Sequence, residues 1–412
     1  MTAADPKRTL PAPKAHWLGT HRTVAPRETL ERVVPMMRAM GITRVANVTG
    51  LDVLGIPVVA VMRPNSRSIA VAQGKGLDLD AAKASGLMES IENYHAEHVR
   101  LPLALGSLED MRARGATLEL RDVPRVTGSA LDPRARFLWV EGHDAIGRGR
   151  LWLPFELVHT DFTVPLPTAS GAFLMSDSGV ASGNDPLEAV SHAICELVER
   201  DAVTIWRFAG EDGQRERRVD LRTVDDGACR SILDRFARAS VRTAVWEVTS
   251  DVGIAAFYCT IVDGAPSVWR PLGPASGSGC HPCREIALLR ALTEAAQVRL
   301  TMIAGSRDDM SLAAYRQGQD QDRLAQALAT MKADEARRSF RDAPTYSAPT
   351  LHEDVAWELQ RLSAAGIEQV AVVDLTLPEF GIPVVRVVIP RLESICDAPG
   401  FMPGARLRAR LA

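Results

Sequence analysis

The amino-acid sequence predicts a mixed fold of helices and sheets (α+β, or mixed α/β), and three observations support this prediction. Short runs rich in Val and Ile and bounded by Gly or Pro are typical of strands. Longer stretches with apolar residues every three or four positions are typical of helices. The two patterns alternate along 412 residues that are 46% hydrophobic, which is enough chain to bury a substantial core.

The predicted elements begin at about Pro26, where a helical pattern follows a polar, Pro-containing start. Small-residue loops are predicted at 167–185 and 273–283, each leading into a helix. Helices are predicted at 78–98, within 103–125, at 186–208 and 284–303, within the polar stretch 306–345, and at 354–366. Strands are predicted in TRVANVT, IPVVAVMRP, SRSIAVAQ and ATLELRDV, in a hairpin of FLWVEGHDAIG with GRLWLPFELVHTDF, near 242–248 and 254–263, and in EQVAVVDLT and IPVVRVVIP.

The charge balance and the cysteine content exclude several classes of protein. With 48 basic and 51 acidic residues the net charge is −3, which argues against a dedicated nucleic-acid binder. No apolar run approaches the roughly 20 residues that span a bilayer, and the first residues lack the apolar core of a signal peptide. We therefore expect a cytoplasmic protein without nucleic-acid or membrane partners. Six cysteines form no disulfide framework, and the single C-x-x-C pair, Cys280 and Cys283, lacks the second half of a zinc site.

Three of the predicted helices share one pattern of acidic residues. Each carries a Glu followed three positions later by a second carboxylate or an amide, and each has an Ala seven positions before that Glu. A single E-x-x-E is common on solvated helices, but three copies behind glycine- or serine-rich loops favour a functional site. The pairs are Glu89/Glu92, Glu196/Glu199 and Glu294/Gln297, and the alanines are Ala82, Ala189 and Ala287.

Residues three apart lie side by side on one helix face, so the paired carboxylates repel each other. Apolar neighbours such as Leu87 and Ile194 indicate that this face is not fully solvated. A cation relieves the repulsion, and oxygen ligands suit Mg²⁺, which commonly enters with substrate phosphates. Lys75 lies just before a predicted helix N-terminus, where it could contact those phosphates. Arg200 follows Glu199 directly and Arg290 lies one turn before Glu294, so both could do the same. The pattern therefore predicts a nucleoside triphosphate site.

The usual nucleotide and zinc motifs are missing. Lys75 is followed by Gly76 and Leu77 and so does not form a Walker motif, and no G-x-G-x-x-G is present. His352 and Glu353 begin an H-E-x-x-H that has no second His, which argues against zinc-dependent hydrolysis.

At these residues the sequence resembles the YcaO family of ATP-dependent enzymes that modify peptide backbones. The resemblance runs from about Gly41 to Pro390 and is carried by GKGLDLDAAKASGLMESIE, SGVASGNDPLEAVSHAICELVERDA and GCHPCREIALLRALTEAAQ. GITRVANVTGLDVLGIPVV and RPNSRS further resemble the subgroup encoded with a TfuA-type partner. We expect an N-terminal extension (1–40), a YcaO core (41–345) and a C-terminal helix–strand–strand segment (346–412) that packs on the core.

The resemblance implies ATP and Mg²⁺ as cofactors, with three carboxylate-bearing helices converging on one nucleotide site. It implies that Glu89, Glu92, Glu196 and Glu199 bind Mg²⁺, that Glu196, Glu199 and Arg200 are catalytic, and that Lys75, Ser85, Glu89, Glu92, Asn184, Glu188, Arg200, Glu294 and Gln297 bind the cofactor.

The activity expected from the resemblance is ATP-dependent thioamide formation on a peptide or protein, with a TfuA-like protein as partner. We expect a homodimer as the assembly. Azoline-forming relatives often end in a Pro-rich segment, whereas this chain ends in PGARLRARLA. Cyclodehydration of Cys, Ser or Thr is nevertheless the alternative activity. An alternative of another class is a non-catalytic peptide-binding scaffold on the same fold, against which the intact carboxylates and Arg200 argue.

Overall fold

The computed structural model confirms the mixed fold of helices and sheets. It describes residues 12–129, 132–167, 170–264, 272–317, 320–333, 336–397 and 400–411, so the first eleven residues of the predicted N-terminal extension lie outside the described part. The strands are β1 (Arg44–Asn47), β2 (Val58–Met62), β3 (Val71–Lys75), β4 (Leu103–Gly106), β5 (Phe137–Asp144), β6 (Arg150–Pro154), β7 (Val180–Ser182), β8 (Val219–Asp220), β9 (Val241–Glu247), β10 (Ala256–Asp263), β11 (Ala275–Cys280), β12 (Arg338–Ser339), β13 (Ala371–Asp374) and β14 (Val384–Val388).

The helices alternate with the strands, as the sequence pattern predicts. They are α1 (Pro26–Val33), α2 (Leu79–Glu97), α3 (Leu108–Arg114), α4 (Pro186–Arg207), α5 (Gly210–Arg215), α6 (Gly227–Arg238), α7 (Arg284–Ala304), α8 (Leu312–Gln317), α9 (Gln321–Ala333), α10 (Leu351–Ala364) and α11 (Ala405–Leu411). Across the described residues, no helix is both long enough and apolar enough to cross a membrane.

Three strand–turn–helix units carry the carboxylate pairs. β3 leads into α2, β7 leads into α4, and β11 leads into α7. Asp78 and Asp185 cap the first two helices, since their carboxylates accept hydrogen bonds from the N–H groups of Ala81 and Leu187. Cys283 occupies the N-cap position of the third helix, but its side chain accepts no hydrogen bond from the N–H groups of the first turn.

The first unit belongs to an antiparallel sheet of order β1–β2–β3. α2 lies so close to β3 that a Cβ added at Gly74 would lie 2.0 Å from the carbonyl oxygen of Ala82. Only glycine permits this approach, which brings Lys75 at the end of β3 beside the helix face. Gly74 and Lys75 pair with β2, so the strand continues two residues beyond the predicted strand SRSIAVAQ.

The third unit belongs to an antiparallel sheet of order β11–β10–β9. The predicted small-residue loop at 273–283 is largely the strand β11, which pairs with β10 from Ala275 to Cys280. Its glycines serve packing and not flexibility, since a Cβ at Gly277 would lie 2.4 Å from the amide nitrogen of Ala295 on α7. The strand had no Val or Ile signal, so its sequence did not reveal it.

The second unit belongs to a six-stranded antiparallel sheet of order β4–β5–β13–β14–β7, with β6 beside β5. β13 and β14 come from the predicted C-terminal segment and lie inside this sheet, between strands of the predicted core. The predicted hairpin of β5 and β6 is confirmed. The helix predicted within 103–125 is confirmed as α3, which follows β4. The strand predicted in ATLELRDV is wrong, because this segment contains a 3₁₀ turn at Leu120–Asp122.

The three units close on one another in a cyclic arrangement. Besides the strand of its own unit, α2 contacts β7, α4 contacts β11, and α7 contacts β3. Each helix therefore packs between the strand of its own unit and the strand of the next unit. This arrangement places the helix faces that carry the acidic pairs around a common centre.

Candidate active site

A cavity of about 620 Å³ lies where the three units meet. All eleven site residues predicted from the sequence line it, although they come from helices about 100 residues apart. They are Lys75, Ser85, Glu89, Glu92, Asn184, Glu188, Glu196, Glu199, Arg200, Glu294 and Gln297.

The carboxylates of α2 have little compensation for their charge. Burial raises the pKa of Glu89 to about 7, although Lys75 opposes the shift. Burial also raises the pKa of Glu92 to about 8, and the neighbouring Glu89 adds to it. Glu92 accepts hydrogen bonds from Ser182 N (2.8 Å) and Ser182 Oγ (2.7 Å) of β7, which fix its orientation without neutralising it.

The carboxylates of α4 face the same cavity. Glu196 accepts a 2.9 Å hydrogen bond from the N–H of Gly179, and Glu199 accepts a 2.6 Å bond from Ser278 Oγ. Burial raises the pKa of both carboxyl groups, and the guanidinium of Arg200 partly opposes this. Arg200 lies 3.4 Å from each of them, a loose contact that leaves the pair incompletely neutralised.

α7 differs from the other two helices. Glu294 forms a 2.8 Å ion pair with Lys75, and its other oxygen accepts a 3.3 Å bond from Ser278 N. Burial raises the pKa of Glu294, but Lys75 and Arg200 lower it more, so the net pKa lies below the usual value. Gln297 donates to the carbonyl of Gln73 at 3.3 Å and leaves its Oε1 without a partner among the described residues.

Two of the predicted site residues also form hydrogen bonds that fix the N-terminal segment. Glu188 accepts hydrogen bonds from the N–H groups of Asn184 and Thr23. Asn184 donates through Nδ2 to Thr29 at 3.0 Å. These contacts fix residues 23–29 at the rim of the cavity. Ser85 lines the cavity one turn before Glu89.

Several residues that line the cavity were not predicted from the sequence, among them Arg22, Asp177, His192 and Arg307. His192 lies one turn before Glu196 on α4, so helical spacing could have identified it. The other three lie in loops, where no periodicity indicates which way a side chain points.

The lining residues fit a magnesium-bound triphosphate. Among the described residues no three His, Cys, Asp or Glu side chains already form a metal-binding cluster. Mg²⁺ does not need one, because it binds through one or two carboxylates, substrate phosphates and water. The Nε of Arg200, the Nδ1 of His192 and the Oε1 of Gln297 are buried and unpartnered in the described part, as expected for groups that meet a polar ligand.

The comparison with protein families identifies the class. The model of the YcaO cyclodehydratase family, described as ATP- and Mg²⁺-binding, matches residues 73–393. The chain therefore belongs to the YcaO family, as the resemblance implied. Members of this family are ATP-dependent peptide-modifying enzymes, and ATP and Mg²⁺ are the cofactors.

Two uncharacterized relatives cover nearly the whole chain. A protein encoded in the 3′ region of tfuA in Rhizobium leguminosarum bv. trifolii is 38% identical over 378 residues, which are 90% of this chain and 88% of the relative. A protein of Methanothermobacter thermautotrophicus is 30% identical over 395 residues, or 95% of this chain and 99% of the relative.

Solved structures share the fold at low identity. A heterocyclase in complex with substrate and cofactor has a TM-score of 0.80 at 20% identity, covering 98% of this chain, which spans only 56% of the heterocyclase chain. YcaO from Methanopyrus kandleri, bound with AMPPCP and Mg²⁺, has a TM-score of 0.74 at 24% identity and covers 95% of this chain and 98% of its own.

Proposed function

We propose that this enzyme converts a backbone amide of a peptide or protein into a thioamide at the expense of ATP, with a TfuA-like protein as its partner. The observation that carries the proposal is the convergence of four incompletely neutralised carboxylates on one cavity, two from α2 and two from α4. The 38% identity to a protein encoded beside tfuA supports the choice of partner.

The proposed reaction consumes an amide, hydrosulfide and ATP and produces a thioamide, ADP and phosphate. When bound, Mg-ATP supplies the phosphoryl group that turns the amide oxygen into a leaving group. Sulfur adds to the carbonyl carbon, the carbon–oxygen bond breaks as phosphate leaves, and loss of the sulfur proton completes the thioamide. The enzyme's task is therefore positioning and charge neutralisation.

Each site residue predicted from the sequence has a role in this proposal. Glu196, Glu199 and Arg200 act at the phosphoryl group, where the carboxylates bind metal and the guanidinium neutralises phosphate charge. Glu89 and Glu92 complete the metal ligands from the opposite helix. The remaining contacts to the cofactor come from Lys75, Ser85, Asn184, Glu188, Glu294 and Gln297.

Cyclodehydration is the second candidate, because the matching family model is named for it and a heterocyclase shares the fold. In that reaction a Cys, Ser or Thr side chain of the substrate replaces hydrosulfide as the nucleophile. A non-catalytic scaffold is a weaker alternative, since a scaffold has no need for four carboxylates with raised pKa values. The predicted homodimer and the cytoplasmic location stay predictions.

The test uses a short peptide encoded beside the gene as the candidate substrate. The enzyme is incubated with its TfuA-like partner, this peptide, sodium sulfide and Mg-ATP, and the product is measured by intact-mass spectrometry. We expect a gain of 16 Da, from the replacement of oxygen by sulfur, that requires ATP and sulfide. A loss of 18 Da would establish cyclodehydration, and failure to bind Mg-AMPPCP in calorimetry would support a scaffold.

A further inference from the structure

The cavity extends beyond the carboxylates that it contains. Leu289 and Met302 both line it and are thirteen residues apart on α7, which is roughly 20 Å of helix at 1.5 Å per residue. Glu294 lies between them and shares Ser278 with Glu199 of α4. Glu294 and Glu199 therefore lie between the two ends of this part of the cavity, with lining residues on either side.

The two ends of the cavity differ in character. Near the start of α7, Gly19 of the N-terminal segment lies against the apolar Leu77 and Leu289, and the lining there includes the cations Arg22 and Arg290. Near the end of α7 the lining includes a carboxylate and a cation, Asp177 and Arg307. Apolar side chains beside cations suit a nucleotide, which leaves the other end for the group that receives the phosphoryl group.

The loop that contains Asp177 is fixed by contacts with β14. Arg386 of β14 is 5% exposed, and its Nη1 donates a 2.7 Å hydrogen bond to the carbonyl of Ser176. Gly179 has φ of 87°, and its N–H donates to Glu196 at 2.9 Å. A Cβ at Gly179 would lie 2.4 Å from a carbonyl oxygen of β14, so only glycine fits at this position of the loop. The loop thus presents Asp177 beside Glu196 in a fixed position.

The position of Arg307 is fixed by the end of α7 and by Asp309. Gly305 ends α7 in the left-handed conformation (φ 57°), and the chain returns to the cavity two residues later. Asp309 binds the guanidinium at two points, at 2.7 Å on Nε and 2.5 Å on Nη2. The Nη1 of Arg307 has no hydrogen-bond partner in the described part of the chain. Asp309, followed by Glu89 and Asp177, keeps the pKa of Arg307 above its usual value.

A second polar atom at this end of the cavity, on Gln73, also lacks a hydrogen-bond partner among the described residues. Gln73 of β3 is 1% exposed, and its Oε1 accepts a hydrogen bond from Thr301 in the last turn of α7. Its Nε2 is buried and makes no hydrogen bond to any described residue. A buried amide nitrogen without a partner is costly unless a ligand satisfies it, which indicates that this end receives a polar group.

We propose that Asp177 and Arg307 bind the acceptor amide, Asp177 accepting from its N–H and Arg307 donating to its carbonyl oxygen. An amide offers one donor and one acceptor, and this pair offers one of each. A hydrosulfide anion fits less well, because Asp177, Glu89 and Asp309 all surround Arg307. The inference rests on the proposed function in taking a peptide backbone as acceptor, but it holds for thioamide and azoline products alike.

The test compares Asp177→Ala and Arg307→Met with the matched surface variants Asp225→Ala and Arg341→Met. Asp225 and Arg341 form an exposed ion pair with each other at 2.8 Å, so they match the site pair in residue type. Affinity for Mg-AMPPCP is measured by calorimetry, and kcat/KM for the peptide encoded beside the gene is measured by mass spectrometry. We expect AMPPCP affinity within about twofold of wild type and at least a tenfold loss in kcat/KM for the site variants only.

Substrate modification identifies which contact is lost. Methylation of the acceptor nitrogen removes the N–H but still allows thioamide formation, so it should lower kcat/KM for thioamide formation in wild type and in Arg307→Met but add no loss in Asp177→Ala, which has no acceptor side chain. Arg307→Lys should recover part of the loss in Arg307→Met. Unchanged kcat/KM in the site variants, or a tenfold loss of AMPPCP affinity, would overturn the acceptor assignment. If wild type itself gave neither product, the proposed function would fail first.

Discussion

Two glutamates on α2, the half-buried Glu92 and the buried Glu97, lie five residues apart and have opposite environments. Glu97 is 4% exposed and receives two 2.6 Å hydrogen bonds from Arg63, together with bonds from Ser66 and Ser68. Burial raises the pKa of Glu97, but these partners lower it more. Among the described residues, the hydrogen bonds to the Glu92 carboxylate come from Ser182 alone, and burial raises its pKa to about 8.

The comparison separates a structural carboxylate from a functional one. Desolvation raises the carboxyl pKa of both residues, so desolvation alone does not indicate a site. What differs is whether the described residues supply a compensating cation in direct contact. Glu97 has Arg63, whereas no described cation forms an ion pair with Glu92, as expected for a carboxylate that binds a metal.

The largest effect is expected from Glu97→Gln, which should lower the free energy of unfolding by about 3–5 kcal/mol. The substitution leaves Arg63, which is 3% exposed, as a buried and unpaired charge. Urea unfolding measures the change. Glu92→Gln is the matched control and should cost little or stabilise the protein, because it removes an uncompensated charge. Equal losses in the two variants would contradict the comparison.

Glu199→Gln should lower the rate of ATP turnover by about 10²–10³-fold while the fold stays intact, because it removes a metal ligand charge at the phosphoryl group. Steady-state phosphate release measures the rate, and circular dichroism checks the fold. Glu379→Gln, at an exposed residue paired with Arg100, is the control and should leave turnover unchanged. Near-normal turnover in Glu199→Gln would remove the metal role assigned to it.

The raised pKa values predict opposite pH dependences for stability and for cofactor binding. Because Glu89 and Glu92 hold protons more tightly in the folded state, stability of the unliganded protein should fall as pH rises from about 5 to 8. Over pH 6 to 8, affinity for Mg-AMPPCP should rise, since the protons must leave before the metal binds. Thermal melts and calorimetry across this range test both trends. In Glu89→Gln/Glu92→Gln both slopes should flatten, and unchanged slopes would exclude these carboxyl groups as the cause.

The smallest effect concerns Lys75, whose ion pair with Glu294 is about one quarter exposed. Lys75→Met should change the free energy of unfolding by less than about 1 kcal/mol. It should weaken Mg-AMPPCP binding about tenfold if Lys75 contacts phosphate. Lys83→Met, one turn into α2 but outside the cavity lining, is the control for calorimetry. A loss of stability without a loss of affinity would assign Lys75 a structural role.

The site was more predictable from the sequence than much of the surrounding fold. The acidic pairs lie on long helices, where a spacing of three residues determines that Glu196 and Glu199 share a face. The chemistry of two adjacent carboxylates then predicts a cation. Nothing in that reasoning required knowledge of the sheets, and the cavity contains every residue it selected.

The missed features have a common physical cause, which is that tertiary packing overrides local pattern. β11 is built from Ala, Ser, Gly and Cys, because α7 lies too close for larger side chains. Asp177 and Arg307 enter the cavity from loops, and their positions depend on partners distant in sequence or on a left-handed glycine. No window of sequence contains that information.

The central claim is that carboxylates from α2 and α4 hold a magnesium-bound triphosphate between them. A crystal structure with AMPPCP and Mn²⁺ in place of Mg²⁺ tests it most directly, since anomalous scattering locates the metal. We expect anomalous peaks adjacent to carboxylate oxygens among Glu89, Glu92, Glu196 and Glu199, with the triphosphate beside Arg200. Metal or triphosphate bound elsewhere, with these four side chains free of it, would contradict the account.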